Sequence, residues 1–471
     1  MPVSRAALFA WHEREGAFER LAPPAVPVTV VERFGGIKDG ARIVLKVRIG
    51  LASVRWELEH RDYREGEQFR DVQVSGPFAR WEHLHRFEDG PDGTSILHDE
   101  IDYALPAGAV GDTIAGRYMA DDLARLFRYR HAVTADDLAR HAEFAGQPPM
   151  TVAITGASGL IGASLSAFLT TGGHTVRRIG RNRVRQESGE PETTRARPGG
   201  GSSAGDVSFD FQWDPANDLL DPDALDGVDA VVHLAGASIS ERWTEDHKRA
   251  IRESRVQGTS LLANALAALH RKPAVLLSAS AIGWYGERGD ELLDESSTGG
   301  GNWLAGVARQ WEHAADPARD AGIRVVHPRT GVVLSARGGA LAKMLPIFKL
   351  GAGGRVGSGA QWLSWISLHD TVAAIAWMLQ HERARGPMNL VSPGAVTNAY
   401  FTRVLAHVLH RPAIAVAPPF ALSLAFGAEM TREVLVASQR VRPLALELAG
   451  FRFTHPSLEE ALRFELGLLP A

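Results

Sequence analysis

Residues 151–164 read TVAITGASGLIGAS, and no other stretch constrains the fold of this chain as tightly. A short apolar run (Val152, Ala153, Ile154) stops at Gly156, Gly159 and Gly162 follow at three-residue spacing, and residues 165–169 resume with helix formers. The pattern predicts strand, glycine turn, helix. One glycine lets the chain turn tightly, one lets backbone come close to a pyrophosphate, and one lets the helix pack on the strand. Backbone amides at the helix start point at phosphate oxygens, where the macrodipole favours negative charge. Gly156, Ser158, Gly159, Leu160, Ile161 and Gly162 are therefore the expected dinucleotide cradle; the alternative is a tight strand–helix turn without a ligand.

At 471 residues the chain exceeds one ordinary core, so two or three domains are expected. A net charge of −4 carries no electrostatic footprint for nucleic acid. The absence of cysteine removes disulfides, thiolate metal sites and a thiol nucleophile. The N-terminal MPVSRAALFAWHEREG meets charge too early for a secretory signal. No apolar run approaches the roughly 20 residues that span a bilayer. The expectation is a cytoplasmic protein with no membrane span and no nucleic-acid partner.

The first 147 residues differ in kind from the rest. Ile43, Leu45, Val47 and Ile49 alternate with Val44, Lys46 and Arg48, and Val54, Trp56 and Leu58 alternate with Arg55, Glu57 and Glu59, the period of strands with one face on a core. Further strands are expected at 68–74, 80–87 and 95–105, with a helix at 10–21. Met119, Leu123, Leu126 and Phe127 form the apolar stripe of a closing helix. Trp81, His83, His85 and Phe87 share one strand face. The histidine pair would ligate metal, contact a polar ligand head, or form a hydrogen-bonded polar face; with no third ligand evident, no metal is expected. WHEREGAFERLAPP, FRDVQVSGPFARWEHLHRF and LFRYRH resemble the helix-grip superfamily that includes START domains and polyketide cyclases. The resemblance implies a curved sheet around a long helix, with a cavity for an apolar ligand. The boundary is expected at residues 146–149, GQPP.

From residue 150 an α/β pattern begins. A second strand at 174–179 ends in Gly180-Arg181-Asn182-Arg183. An acidic residue there would bond the ribose 2′-hydroxyl of NAD, whereas arginine suits the 2′-phosphate of NADP. Arg181 and Arg183 favour NADP; the other reading is a solvated basic turn. Residues 183–205 are polar and Gly/Ser/Pro-rich and read as a flexible insertion. Strands follow at 207–213, 229–235 and 274–278, with a helix at 245–269. The fourth strand ends HLAG, which sets Leu234, Ala235 and Gly236 against the cofactor.

The fifth strand runs into SASAIGWYGERG. Ser278 and Ser280 stand where ligands bind in doubly wound sheets; they either hydrogen-bond a reacting oxygen or cap the strand–loop junction. Tyr285 is a candidate acid/base or substrate contact. Together TGASGLIG, HLAGASISERWTEDHKRAIRESR, SASAIGWYG, HPRTGVVLS, GSGAQWLSWISLHD, NLVSPGAVTNAYFTRVLAHVLHRP and VRPLALELAGFRF resemble an atypical subgroup of the extended short-chain dehydrogenase/reductases, the epimerase-family, nucleoside-diphosphate-sugar epimerase-like proteins with their own C-terminal domain. The resemblance covers nearly all of the last 320 residues or so. It implies a Rossmann-type doubly wound parallel sheet with a small C-terminal α/β lobe, here preceded by an α+β helix-grip domain. It also puts Arg255 near the cofactor, the alternative being a helix-surface salt bridge, and Pro328 and Arg329 near the nicotinamide after a sixth strand at 324–326. Trp243 and Lys248 would close over the crevice or serve as packing and a solvated charge. Residues 361–365, QWLSW, would line the substrate cleft or be buried bulk.

One departure stands out. Ordinary members carry Tyr-x-x-x-Lys on the helix after the fifth strand, where lysine lowers the tyrosine pKa for proton transfer. Here that helix reads GNWLAGVARQWEHAA, and aligning Glu312 with the usual downstream acid puts Leu304 and Ala308 at those positions. Neither moves a proton. Ser280 survives, and Tyr285 is the first choice of donor. The expected organisation is a helix-grip domain over 1–147, an NADP-binding domain over 150–385 and a substrate-side lobe over 386–471. The expected activity is NADP(H)-dependent oxidoreductase or epimerase-like chemistry on a small-molecule substrate. The alternatives are a non-catalytic binder of NADP(H) and an apolar ligand, and a nucleotide-sugar epimerase/dehydratase.

Overall fold

A computed structural model describes residues 1–24, 26, 28–49, 52–106, 109–181 and 209–470. The N-terminal part opens with α1 (Arg5–Glu13) and α2 (Ala17–Leu21). The single helix expected at 10–21 is thus two. The break is Gly16, at φ +93°, where a side chain would lie 2.6 Å from the Ala167 carbonyl oxygen of the next domain. Six strands follow, β1 (Val28–Phe34), β2 (Arg42–Ile49), β3 (Ala52–Arg64), β4 (Gln68–Ser75), β5 (Arg80–Asp89) and β6 (Ser95–Ala104). They pair in chain order as one antiparallel sheet, and α3 (Ala109–Ala142) closes the unit. Strand β1 escaped the period-two reading because a bulge between Val30 and Glu32 breaks its alternation. On β5 the alternation is clean: Trp81, His83, His85 and Phe87 are all buried. The histidine pair therefore faces the interior, with Asp71 of β4 opposite His83 and Asp99 of β6 opposite His85. These are partners that residue spacing alone did not supply.

The second sheet is built from β7 (Thr151–Thr155), β8 (Thr175–Gly180), β9 (Phe211–Asp214), β10 (Leu219–Leu220), β11 (Ala230–His233), β12 (Val275–Ser278), β13 (Ser280–Ala281), β15 (Arg324–Thr330) and β20 (Gly386–Leu390). Helices α4 (Leu160–Thr171), α5 (Glu245–Ala268), α6 (Trp303–His313), α7 (Asp316–Asp320) and α9 (Leu368–Gln380) connect them. The smaller pieces are β14 (Leu292–Leu293), β16 (Val332–Leu334), α8 (Gly339–Lys349), β17 (Gly354–Val356), β18 (Trp362–Leu363) and β19 (Trp365–Ser367). The strand order is β10-β9-β8-β7-β11-β12-β15-β20, parallel throughout except at β10. That is a Rossmann-like doubly wound sheet, and its order reverses between β7 and β11, where a crevice opens beyond the strand ends. Val152, Ile154, Val232 and Leu277 pack under α4 and α9 on one face; Ala153, Val231 and Leu276 pack against α5 and α7 on the other.

Two boundaries differ from the sequence reading. Pro328 and Arg329 do not follow the sixth strand; they lie within β15, paired with Met388 and Asn389 of β20. A proline is tolerated in this central strand because the other neighbour is interrupted there, between Ser278 of β12 and Ser280 of β13. Strand β20 in turn belongs to the large sheet, so a lobe starting at 386 would cut off its last strand. The expected insertion at 183–205 and the first residues of the expected third strand lie outside the described residues. After β20 come β21 (Val396–Thr397), α10 (Asn398–Val408), β22 (Ala415–Ala417), α11 (Pro419–Phe426), α12 (Ala428–Met430), β23 (Arg440–Val441), α13 (Leu444–Ala449) and α14 (Leu458–Glu465). Among the described residues no helix is long and apolar enough to cross a membrane.

A buried polar seam joins the N-terminal part to the rest. Arg20 donates twice to Asp137, at 2.7 and 2.6 Å, with both side chains nearly inaccessible. Arg20 Nη2 also lies 3.3 Å from His369 Nδ1, and the His369 amide donates to Glu465 Oε1 at 3.1 Å. Arg14 donates to the Thr171 carbonyl, and Arg178 pairs with Glu15 at 2.6 Å. Burial pushes the Glu465 carboxyl up to about 7. In the unfolded chain it ionises near the ordinary carboxylate value, so between there and about pH 7 the folded state holds a proton that the unfolded state has lost, and stability falls as pH rises through that window. Glu465→Gln removes the penalty while keeping an acceptor for the His369 amide. Urea unfolding should show it stabilised by roughly 1–3 kcal/mol at about pH 8 and unchanged at about pH 4.

Candidate functional site

The glycine turn sits at the reversal of strand order. Gly156 adopts φ +73°, and a side chain there would meet the Ala235 nitrogen and the Leu234 carbonyl carbon at 2.9 Å. A side chain at Gly162 would lie 2.2 Å from the Gly156 carbonyl oxygen. The ends of β7, β11 and α4 thus approach backbone to backbone, and only hydrogen fits between them. Gly159 caps α4 without a side chain, its own amide donating to Gly156 O at 3.0 Å. The first amides of α4 therefore have no intrahelical acceptor and open toward the crevice. Ser158 and Gly159 are exposed at this end, and Leu160 and Ile161 tuck their side chains against the core. Beneath the turn, Thr155 Oγ1 and His233 Nδ1 are 2.6 Å apart. Burial lowers His233 to about 4, which makes it a neutral hydrogen-bonding group.

Two arginines flank the cradle. Arg181 ends β8 exposed, and its carbonyl accepts from Gln212; Arg183 lies outside the described residues. Arg255 on α5 reaches Gly236, whose added side chain would touch the guanidinium at 3.3 Å. Its Nη1 donates to the carbonyls of Ala237 and Ile251, both at 3.0 Å, and the guanidinium lies 4.9 Å from the Trp311 ring centroid. Burial lowers it to about 10, still a cation at neutral pH. Among the described residues no carboxylate pairs with it, so the helix-surface salt bridge is not what this residue makes.

Ser280 and Tyr285 enter one buried chain of polar contacts. Ser280 donates to Glu312 Oε1 at 2.7 Å; Glu312 accepts twice from Arg329, at 2.8 and 3.0 Å; Arg329 donates to Tyr285 Oη at 3.2 Å; and Tyr285 donates to Asn389 Oδ1 at 2.7 Å. The Arg329 guanidinium also lies 3.7 Å from the Trp284 ring centroid. Burial alone would raise the Glu312 carboxyl, but the Arg329 fork holds it below its ordinary value. Burial raises the Tyr285 phenol against the opposing pull of Arg329. Tyr285 is 0 % exposed. The first-choice proton donor is therefore withdrawn from the cleft, its hydroxyl both donating and accepting inside the core. Ser280 is 3 % exposed with its proton committed to Glu312. Ser278 is buried with no partner for its hydroxyl, and Pro328 is buried in β15. Leu304 rests on Gly283, and Ala308 is buried, so the helix face that carries Tyr and Lys in ordinary members is apolar here.

The C-terminal segment closes the far side. Lys248 pairs with Glu429 at 2.9 Å and lies 5.0 Å from the Trp303 ring centroid, and Trp303 packs on Trp243 at 4.8 Å. Glu433 accepts from Asn302 Nδ2 and the Leu304 amide, both at 3.0 Å. Next to it is a cleft of about 540 Å³ lined by Glu287, Asn302, Gln361, Arg432, Glu433 and Ser438. Of the QWLSW stretch, Gln361 lines this cleft, Trp362 donates to Asp290, and Trp365 is core. The sequence reading put Arg329 near the nicotinamide and used Glu312 only as an alignment mark; it missed Asn389 and Glu433 and brought none of these together. Arg329 and Asn389 lie inside quoted motifs, but nothing in their spacing showed that they meet.

Residues 152–391 match the model of the NAD dependent epimerase/dehydratase family. The chain belongs to that family. Residues 417–465 match a domain of unknown function, DUF1731. An epimerase family protein of Mycobacterium bovis is 41% identical over 314 residues, 66% of this chain and 96% of that one. The chloroplastic SDR39U1 homolog of Arabidopsis thaliana is 36% identical over 316 residues, 67% of this chain and 86% of its own. The crystal structure of a Corynebacterium glutamicum nucleoside-diphosphate sugar epimerase superposes with a TM-score of 0.77 at 34% identity, over 99% of this chain and 89% of that chain. Human epimerase family protein SDR39U1, solved with NADPH, gives 0.57 at 29% identity over 68% of this chain and all of its own. In this epimerase-family chain, Tyr285→Phe deletes two internal hydrogen bonds and no cleft contact. Its unfolding free energy should drop by about 1–2 kcal/mol, with dinucleotide affinity in calorimetric titration unchanged.

Proposed function

We propose that this chain binds NADP(H) across the reversal between β7 and β11 and acts as an oxidoreductase of the atypical short-chain type on a small molecule. The observation that carries the reading is the cradle at Gly156 and Gly162, which a single Cβ would fill, with exposed Arg181 at the end of the next strand. An NADP-type 2′-phosphate calls for such a cation, and no acid stands in its place at residues 180–183. The human relative solved with NADPH supports the same cofactor. Bound nicotinamide dinucleotide supplies hydride transfer. The chain's own part is to hold phosphate at the amides of residues 158–162, to offer the unpaired Arg255 cation beside Gly236, and to present a small molecule from the cleft at Asn302, Gln361 and Arg432. Ser280, fixed by Glu312 and Arg329, orients the floor of that crevice as a positioning residue.

A second reading is a protein that binds NADP(H) without turnover, its N-terminal part taking an apolar ligand in a helix-grip manner. Leu304, Ala308 and the enclosure of Tyr285 favour it, because no side chain at those three positions offers a proton to the cleft. A full nucleotide-sugar epimerase stands third, since epimerisation through a keto intermediate needs that same proton transfer.

Calorimetric titration with NADPH, NADP, NADH and NAD tests the cofactor. Micromolar NADPH binding is expected, weakened tenfold or more in Arg181→Ala with NADH affinity little changed; absence of binding for all four dinucleotides overturns the proposal. Oxidation of NADPH with a panel of carbonyl compounds then separates turnover from binding alone.

A further inference from the structure

The N-terminal sheet carries a cluster that the dinucleotide cleft does not use. On adjacent strands Asp71 stands directly across from His83, and His85 directly across from Asp99, all on the buried face. Four donors therefore sit at the corners of one cross-strand square. His83 Nδ1 lies 3.6 Å from Asp71 Oδ2 and its Nε2 2.9 Å from Asp99 Oδ1. His85 Nε2 lies 3.3 Å from Asp71 Oδ2 and its Nδ1 2.8 Å from Asp99 Oδ1. The two imidazole centroids are 3.8 Å apart. The side chains of His83, His85 and Asp99 are 2%, 7% and 6% exposed.

Hydrogen-bond accounting exposes the problem in this square. A neutral imidazole has one N–H and one lone pair. Here both nitrogens of both rings face carboxylate oxygens, so a neutral ring would turn a lone pair onto a carboxylate; without an ion the cluster relieves this by holding a proton on His85, which burial opposes but Asp71 and Asp99 raise to about 9. His85 Nδ1 is buried and pairs with Asp99 Oδ1 at 2.8 Å, without the geometry of a good hydrogen bond. A cation on the Asp71 side would take the lone pairs of His83 Nδ1 and His85 Nε2 together with Asp71, while the opposite nitrogens, His83 Nε2 and His85 Nδ1, turn their N–H groups toward Asp99. Outside the square, His60 Nε2 approaches Asp71 Oδ1 at 2.9 Å and His131 Nε2 approaches Asp99 Oδ2 at 2.6 Å. Outer hydrogen bonds of this kind orient the carboxylates of metal sites.

We infer that Asp71, His83 and His85 form a binding site for one divalent first-row transition-metal ion in the N-terminal part of the chain, with Asp99 orienting both imidazoles from behind. Two imidazoles and one carboxylate, with no thiolate, suit Zn²⁺ and its neighbours in that row.

The test uses the full-length, tag-free protein, stripped with a chelator and titrated with Zn²⁺ by calorimetry and with Co²⁺ by visible absorption. One ion per chain is expected, bound with micromolar or tighter affinity. X-ray absorption of the zinc form should show nitrogen and oxygen neighbours with imidazole scattering. Asp71→Asn, which keeps shape and removes charge, and His83→Ala and His85→Ala should each weaken binding tenfold or more. His369→Ala should leave it intact, because His369 belongs to a separate group with Asp136 and His455 at the seam. No binding by the folded wild-type protein overturns the inference. So does binding indifferent to Asp71→Asn and His85→Ala, or binding lost in His369→Ala.

Discussion

The structure depends on one contact in which no side chain takes part. Where the strand order reverses, the backbone at Gly156 lies against the backbone at Leu234 and Ala235, and Gly162 brings α4 onto the same turn. A methyl group at either position would meet main-chain atoms, which cannot rotate away as a side chain can. That approach sets the spacing of β7 and β11, aims the free amides of α4 outward, and brings Gly236 and Arg255 to the same opening. The crevice is thus a consequence of backbone packing, and the side chains around it decorate a geometry already set.

What decorates it differs from an ordinary proton-transfer centre. The polar residues at the ends of β13, β15 and β20 point inward and satisfy one another, with Glu312 and Arg329 at the middle. A buried ion pair is tolerated when its remaining donors and acceptors are filled, and here Ser280, Tyr285 and the Trp284 ring fill them. The same satisfaction takes Ser280 and Tyr285 out of contact with solvent. Leu304 and Ala308 then leave α6 with an apolar face where a tyrosine and lysine would otherwise stand.

The N-terminal sheet is not an appendage. Arg20 and Asp137 meet in the seam beside His369 and Glu465, so residues from α2, α3, α9 and α14 complete one polar group. The Corynebacterium glutamicum structure, which superposes over 99% of the chain, spans the same arrangement of parts. The cross-strand square of histidines and aspartates belongs to this sheet and stands apart from the glycine turn, so the chain presents two chemically distinct centres.

Much of the fold was legible because it is local. The TGASGLIG run, the buried alternation of β5 and the apolar stripe of α3 each declare themselves within a dozen or so residues, through periodicity and glycine placement. The bulge in β1, the break at Gly16 and the extension of β15 through Pro328 were not legible, because each is set by a distant partner: a neighbouring strand, the Ala167 carbonyl, and the gap at Ala279. For the site, the sequence by itself determined the glycine turn, an arginine rather than an acid after β8 and the loss of the tyrosine–lysine pair, since these depend on which residue occupies one position in a known local geometry. Only the tertiary structure decided that Tyr285 is enclosed, that Glu312 and Arg329 hold Ser280, and that Asp71 and Asp99 complete the histidine pair. Those outcomes depend on which side chains meet across strands far apart in the chain, and residue spacing along one segment carries no record of its neighbours in space.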